Sequence, residues 1–215
     1  MDNKEILSHI DHTLLKPFAT WEQIEKLCSE AVKYGTASVC VPPCYIERIH
    51  KNFPTLNICT VVGFPLGYET TAAKIKDTQE SIRLGASEID MVINICEVKN
   101  ENYDFVEDEI RQLRKASEGK ILKVIIETCY LTEEEKKAVC RCVTNAGADY
   151  IKTSTGFGDK GATIEDIELF KKEIGPDVKI KAAGGIKTAE DAKKYIECGC
   201  DRVGASSVVG DIYAE

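Results

Sequence analysis

Short apolar, β-branched runs alternate with amphipathic stretches along the whole chain. The segments Ile10–Leu14, Ala37–Val41, Ile58–Gly63, Glu88–Asn94, Ile121–Glu127, Tyr150–Ser154, Val178–Ala183 and Arg202–Ala205 read as strands, recurring at intervals of roughly 20 to 35 residues. Between them Trp21–Tyr34 reads as a helix opened by an N-cap at Thr20, and Thr71–Leu84 as one closed at Gly85. Asn102–Ser117, Thr132–Asn145 and Thr188–Glu197 are further helices, with Gly147 and Gly199 closing the last two. Strand and helix in alternation specify a parallel sheet. Eight units of this size consume the chain, which favours one α/β domain over residues 1–215, a (β/α)8 TIM barrel with a short N-terminal extension, over a doubly wound sheet. No linker or low-complexity segment marks a second domain.

Side-chain parity within the strands adds chemistry to this pattern. Ile89, Met91 and Ile93 share one face, while Glu88, Asp90, Val92 and Asn94 share the other. Leu122, Val124 and Ile126 likewise oppose Lys123, Ile125 and Glu127. Ile151 and Thr153 oppose Tyr150, Lys152 and Ser154, and Val178 and Ile180 oppose Lys179 and Lys181. A barrel strand turns its apolar face to the helices, so the charged faces converge in the lumen. Lys152, Lys181, Glu127 and Asn94 fall at the C-terminal strand ends, where barrel active sites form.

Two ammonium groups in close approach disfavour each other's charged state, so one amine becomes available as a nucleophile toward a carbonyl. Lys152 is the candidate nucleophile, Lys181 the tuning cation and Asp90 the proton shuttle. Taken singly, each has a plainer reading. A lone strand lysine is commonly a solvated edge residue or half of an ion pair, and Lys123 and Lys179 are read that way, nearer the barrel bottom and paired with Glu88 or another carboxylate. The loops Ala183-Gly184-Gly185-Ile186 and Val203-Gly204-Ala205-Ser206-Ser207, with Thr155-Gly156, let backbone amides approach an anion. They form a candidate phosphate site, with Lys187 as a candidate helper.

Composition narrows the partners. A net charge of −8 argues against nucleic acid and anionic membranes. No apolar stretch reaches membrane-spanning length, and the N-terminus lacks a signal-like apolar core, so a cytoplasmic location is expected. Ten cysteines without a CxxC pair, beside three histidines, read as reduced, mostly buried thiols rather than a metal site.

The segments Asp11-His12-Thr13-Leu14-Leu15-Lys16-Pro17, Glu88-Ile89-Asp90-Met91-Val92, Leu122-Lys123-Val124-Ile125-Ile126-Glu127-Thr128, Ile151-Lys152-Thr153-Ser154-Thr155-Gly156, Lys181-Ala182-Ala183-Gly184-Gly185-Ile186 and Gly204-Ala205-Ser206-Ser207 carry a resemblance. In order and spacing they resemble the deoxyribose-phosphate aldolases from about Asp11 to Ser207. The resemblance implies a metal-free, cofactor-free class I aldolase that interconverts 2-deoxy-D-ribose 5-phosphate with D-glyceraldehyde 3-phosphate and acetaldehyde. It implies Lys152 as the Schiff-base lysine, Lys181 and Asp90 as proton donor and acceptor groups, and Asp11 as a support for Lys181 or a substrate hydroxyl. Gly156, Gly184, Gly185, Gly204, Ser206 and Ser207 are the expected phosphate ligands. Phe157-Gly158 stands where some members carry a second phosphate-binding lysine, which implies a weaker phosphate preference. Cys40 is expected near the aldehyde site, either alkylated by an unsaturated aldehyde or inert. A homodimer pairing through outer helices is expected. The rivals are a Schiff-base barrel acting on another phosphosugar and a silent sugar-phosphate-binding barrel.

Overall fold

A computed structural model describes residues 1–213; Ala214 and Glu215, the end of the expected domain, lie outside the described residues. Eight strands close into a parallel barrel in chain order: β1 Ile10–Thr13, β2 Ser38–Val41, β3 Ile58–Val62, β4 Glu88–Val92, β5 Ile121–Ile125, β6 Tyr150–Lys152, β7 Lys179–Ala183 and β8 Arg202–Ala205. The seam between β8 and β1 pairs Val203 with Ile10 and Gly204 with Asp11. The predicted (β/α)8 barrel is therefore the fold.

The helices are α1 Asn3–Ser8, α2 Trp21–Tyr34, α3 Ile46–Asn52, α4 Thr71–Leu84, α5 Ile95–Lys99, α6 Tyr103–Ala116, α7 Glu133–Asn145, α8 Ile164–Glu173, α9 Ala189–Cys198 and α10 Val208–Tyr213. Local chemistry sets their starts. Thr20 and Gln23, Thr132 and Glu135, and Thr188 and Asp191 form reciprocal capping boxes at α2, α7 and α9. Each cap contributes about 1 kcal/mol. The N-terminal extension is helical: Asp2 caps α1, which buries Ile6 and Leu7. Helix α8 carries an equally legible start at Thr163, whose side chain accepts from the Asp166 amide, and buries Ile167 and Phe170.

The outward strand positions, Val39, Val41, Ile58, Ile89, Met91, Leu122, Val124, Ile151, Ile180 and Val203 among them, pack with the helices in one continuous core. Each fully buried aliphatic side chain contributes about 1.5–3 kcal/mol. This ring of apolar contacts allows the lumen to be built from charge.

The strand ends differ from the expected ones. β4 stops at Val92 because the Asn94 side chain turns out to cap α5, accepting from the Glu97 amide at 3.3 Å. Asn94 thus leaves the lumenal group to which parity assigns it. Behind this point Lys74 of α4 and Glu109 of α6 form a fully buried ion pair at 2.9 Å. Lys74 also donates to the Val92 carbonyl at 2.9 Å, and Glu109 accepts from the Asn94 amide at 3.0 Å, which pins the end of β4.

Candidate active site

Asp90, in the middle of β4, is fully buried and is the hub of the lumen. Its Oδ2 accepts from Lys152 Nζ at 2.8 Å and from Lys181 Nζ at 2.7 Å. Its Oδ1 accepts from Lys123 Nζ at 2.8 Å and from the Cys59 thiol at 3.1 Å. Lys152 and Lys181 are register partners on β6 and β7, so their side chains leave adjacent strands toward the same point.

A second carboxylate stands behind the first. Asp11 on β1 contacts Lys181 Nζ at 2.5 Å and accepts from Ser38 Oγ at 2.8 Å. Arg202 on β8 donates to Asp11 and also holds Glu88 through its second nitrogen at 3.1 Å. Lys123 completes the layer, 2.6 Å from Glu88 and 3.7 Å from Asp11. The expected contact of Asp11 with Lys181 is thus present, as is the pairing of Lys123 with Glu88. Lys179 departs from expectation: it is exposed, with its ammonium 5.8 Å from the centre of the Tyr150 ring rather than on a carboxylate. Arg202 had no assigned role, because a basic residue at the first position of a short strand gives no parity contrast of its own.

Burial alone would raise the Asp90 carboxyl, but Lys123, Lys152 and Lys181 outweigh it and hold the group well below the usual carboxylate range. The same contest at Asp11, between burial and Lys181, Lys123 and Arg202, also ends with a lowered carboxyl. Burial would lower the Lys181 ammonium, and Asp11 with Asp90 reverses that, holding it above the ordinary lysine value. Lys181 is therefore a fixed cation at neutral pH, the state a tuning neighbour of Lys152 requires.

Only one of the three lysines on Asp90 reaches substrate space. Lys152, 3% exposed, lines a cavity of about 340 Å³, whereas Lys123, Lys181, Asp90 and Asp11 have no exposed surface. The cavity is walled by Thr13 to Lys16, Thr155 to Phe157, Ala183 to Ile186 and Gly204 to Ser206. Five of the six expected phosphate residues, Gly156, Gly184, Gly185, Gly204 and Ser206, thus lie around one space with Lys152. Ser207 does not: its hydroxyl donates to the Lys187 carbonyl at 2.7 Å, and Lys187 is exposed outside the cavity wall. Lys16 is the cation on the wall instead, exposed and within the first resembling segment. Gly184 has no substitute here. Its φ is +85°, and a Cβ would sit 2.9 Å from the Gly161 Cα.

Glu127 secures the loop after β6. It holds a left-handed backbone, φ 49°, and accepts from the Thr155 amide at 3.3 Å and from the Thr155 hydroxyl. Thr155 Oγ1 in turn accepts from the Phe157 amide at 3.0 Å. Burial pushes the Glu127 carboxyl up from its ordinary value.

A buried amine beside a cavity, a carboxylate in contact with it and a second fixed cation suit carbonyl condensation followed by proton transfer. Glycine loops lining the same cavity suit an anionic substrate tail. The profile of the DeoC/LacD family aldolases matches residues 2–210. A protein of Clostridium botulinum (strain Alaska E43 / Type E3) described as deoxyribose-phosphate aldolase is 63% identical over 216 aligned positions, covering 100% of this chain and 98% of the relative. The solved structure described as QR15, an aldolase, superposes with a TM-score of 0.93 at 38% identity, over 98% of this chain and 96% of that one. The structure of the deoxyribose phosphate aldolase from Aeropyrum pernix, described as tetrameric, gives 0.91 at 30% identity, over 98% and 90%. With this agreement across nearly its whole length, the chain belongs to the DeoC/LacD family of aldolases.

Proposed function

We propose that the chain is a one-domain class I aldolase that reversibly cleaves 2-deoxy-D-ribose 5-phosphate to D-glyceraldehyde 3-phosphate and acetaldehyde through a Schiff base on Lys152. The observation that carries this reading is the selective exposure of Lys152. Of the basic groups around Asp90 it alone lines the cavity, together with Gly184 and Gly204.

The Lys152 amine attacks C1 of the open-chain sugar, and Asp90, 2.8 Å from Nζ, takes the proton released. The carbinolamine loses water, and the resulting iminium draws electrons as the C2–C3 bond breaks. The proton of the C3 hydroxyl leaves on the Asp90 side, and D-glyceraldehyde 3-phosphate departs. The remaining enamine is protonated at C2, and water releases acetaldehyde and regenerates Lys152. Lys181, held positive by Asp11 and Asp90, keeps a second proton donor beside the Lys152 amine and supports the proton transfers. Gly156, Gly184, Gly185, Gly204 and Ser206 supply backbone and hydroxyl donors for the 5-phosphate, with Lys16 in reach of its charge.

The test is a coupled assay of deoxyribose 5-phosphate cleavage with and without a chelator, combined with borohydride trapping. Acetaldehyde release insensitive to chelation, with a reduced adduct on Lys152, is the expected result. An adduct without acetaldehyde release would assign the barrel to another phosphosugar, and neither would leave a binding barrel.

No helix among the described residues is long and apolar enough to cross a membrane. All ten cysteines are free, which supports the proposed cytoplasmic location in a reducing compartment. A homodimer through outer helices is proposed, with a molar mass from light scattering as its check.

A further inference from the structure

The mechanism leaves two lumenal thiols unused. Cys40 on β2 and Cys59 on β3 are register partners, so both side chains point into the lumen from neighbouring strands. Both are fully buried. Their Sγ atoms and a carboxylate oxygen of Asp90 all lie within 4.8 Å of one another. Cys59 donates to Asp90 Oδ1 at 3.1 Å and accepts from Lys123 Nζ at 3.3 Å. The two thiols, with Val61, abut Leu15 and Phe64, and Leu15 is itself a wall of the substrate cavity. A small neutral molecule in that cavity is one side chain away from the pair.

Paired strands run about 4.8 Å apart, inside the range of roughly 4.4–6.8 Å that a disulfide spans between Cα atoms. The surroundings also favour a thiolate. Four basic side chains, Lys123, Lys152, Lys181 and Arg202, meet three carboxylates, Asp11, Glu88 and Asp90, in the lumen. The neighbouring Cys59 and Lys181 draw the Cys40 thiol below its ordinary value, while burial holds Cys59 well above its own. Cys40 is thus the sulfur more easily ionised for attack, and Cys59 its resolving neighbour.

We infer that Cys40 and Cys59 form an oxidisable dithiol, converted by a peroxide to a lumenal disulfide that disconnects Cys59 from Asp90 and slows the aldolase reversibly. The Cys40 thiolate attacks one peroxide oxygen; the O–O bond breaks, the sulfur becomes a sulfenic acid and the other oxygen leaves as hydroxide, protonated to water. Cys59 then attacks the sulfenic sulfur as its proton passes, by way of Asp90, to the departing oxygen. The S–S bond forms, the S–O bond breaks, and the departing hydroxide takes that proton to become a second water. The two thiols lose two electrons and two protons, and one peroxide becomes two waters. Losing the thiol donor on a charged carboxylate should slow turnover about tenfold.

The wild-type protein is exposed to hydrogen peroxide, alkylated, and mapped by non-reducing peptide mass spectrometry alongside turnover. The expected result is a peptide linking Cys40 to Cys59, forming in step with the loss of turnover, and both reversed by dithiothreitol. The mapping reads the linkage without reference to the substrate, so it stands or falls separately from the aldolase assignment. Oxidation confined to the exposed thiols Cys44 and Cys96 would overturn the inference, as would a full Cys40–Cys59 linkage with unchanged turnover. Cys40→Ser and Cys59→Ser, each compared with its own untreated rate, should lose the linked peptide.

Discussion

Lys152 and Lys181 occupy one rung of the barrel, register partners on β6 and β7, and both donate to the same oxygen of Asp90. Their environments then diverge. Lys181 has a second carboxylate, Asp11, and no exposed surface, whereas Lys152 has Asp90 alone and opens onto the cavity. The pairing of two lysines thus yields two different groups, one fixed as a cation and one free to react.

Lys152→Leu should abolish both the borohydride-trapped adduct and turnover, read by intact mass and by acetaldehyde release. Full activity in this variant would sink the Schiff-base mechanism.

Asp90→Asn keeps the shape of the hub and removes its charge. Turnover should fall by about 10² to 10⁴ with only a modest change in Michaelis constant, because proton transfer is lost while the glycine loops are untouched. A selective rise in Michaelis constant would instead give Asp90 a binding role.

Removing Lys181 tests tuning and stability together. In Lys181→Leu, Asp11 retains Arg202 and Asp90 retains Lys123, so the barrel should still form. Breaking a buried pair costs about 3–5 kcal/mol, an upper bound here because those partners remain. The expected outcome is native circular dichroism, a lowered melting temperature and severely reduced turnover.

The buried network also sets a pH window for stability. Asp11 and Asp90 titrate lower in the folded protein than in the unfolded chain. Their contribution is therefore complete above the unfolded value of about 3.9 and is lost as pH falls through the folded values. Lys181 titrates higher when folded, so its contribution is complete below about 10.4 and fades as pH rises through the folded value. Chemical denaturation across pH should show stability declining below about pH 4 and again above about pH 10. A decline centred near neutrality would contradict the assigned charges.

Gly184→Ala places a Cβ against Gly161 at a backbone angle that alanine rarely adopts. A local strain of about 1–3 kcal/mol should raise the Michaelis constant for deoxyribose 5-phosphate roughly tenfold or more. Unphosphorylated deoxyribose should be affected less. Equal effects on both would remove Gly184 from the phosphate site.

Much of this arrangement was legible because period-two parity and barrel closure act on the same residues. Once Ile89, Met91 and Ile93 face the helices, Asp90 must face the lumen. Parity fails at strand ends, where capping competes with the sheet: Asn94 satisfies the Glu97 amide instead of joining the lumenal charges. It is also silent on contacts between distant elements. Nothing local to Arg202 announces Asp11 and Glu88 as its partners, and nothing local to Lys74 announces Glu109. Motif reading is equally silent on the Ser207 hydroxyl, which turns to the Lys187 carbonyl.

The lumenal charges also divide by position along the chain. Asp11, Glu88 and Asp90 come from the first four strands, and Lys123, Lys152, Lys181 and Arg202 from the last four. Within these strands each half-barrel alone would gather charges mainly of one sign on its concave face, and their union neutralises both. The polarity gives the two halves a mutual attraction and each half a penalty for closing on a copy of itself. Separately expressed halves, cut between β4 and β5, should accordingly complement one another more readily than either self-associates.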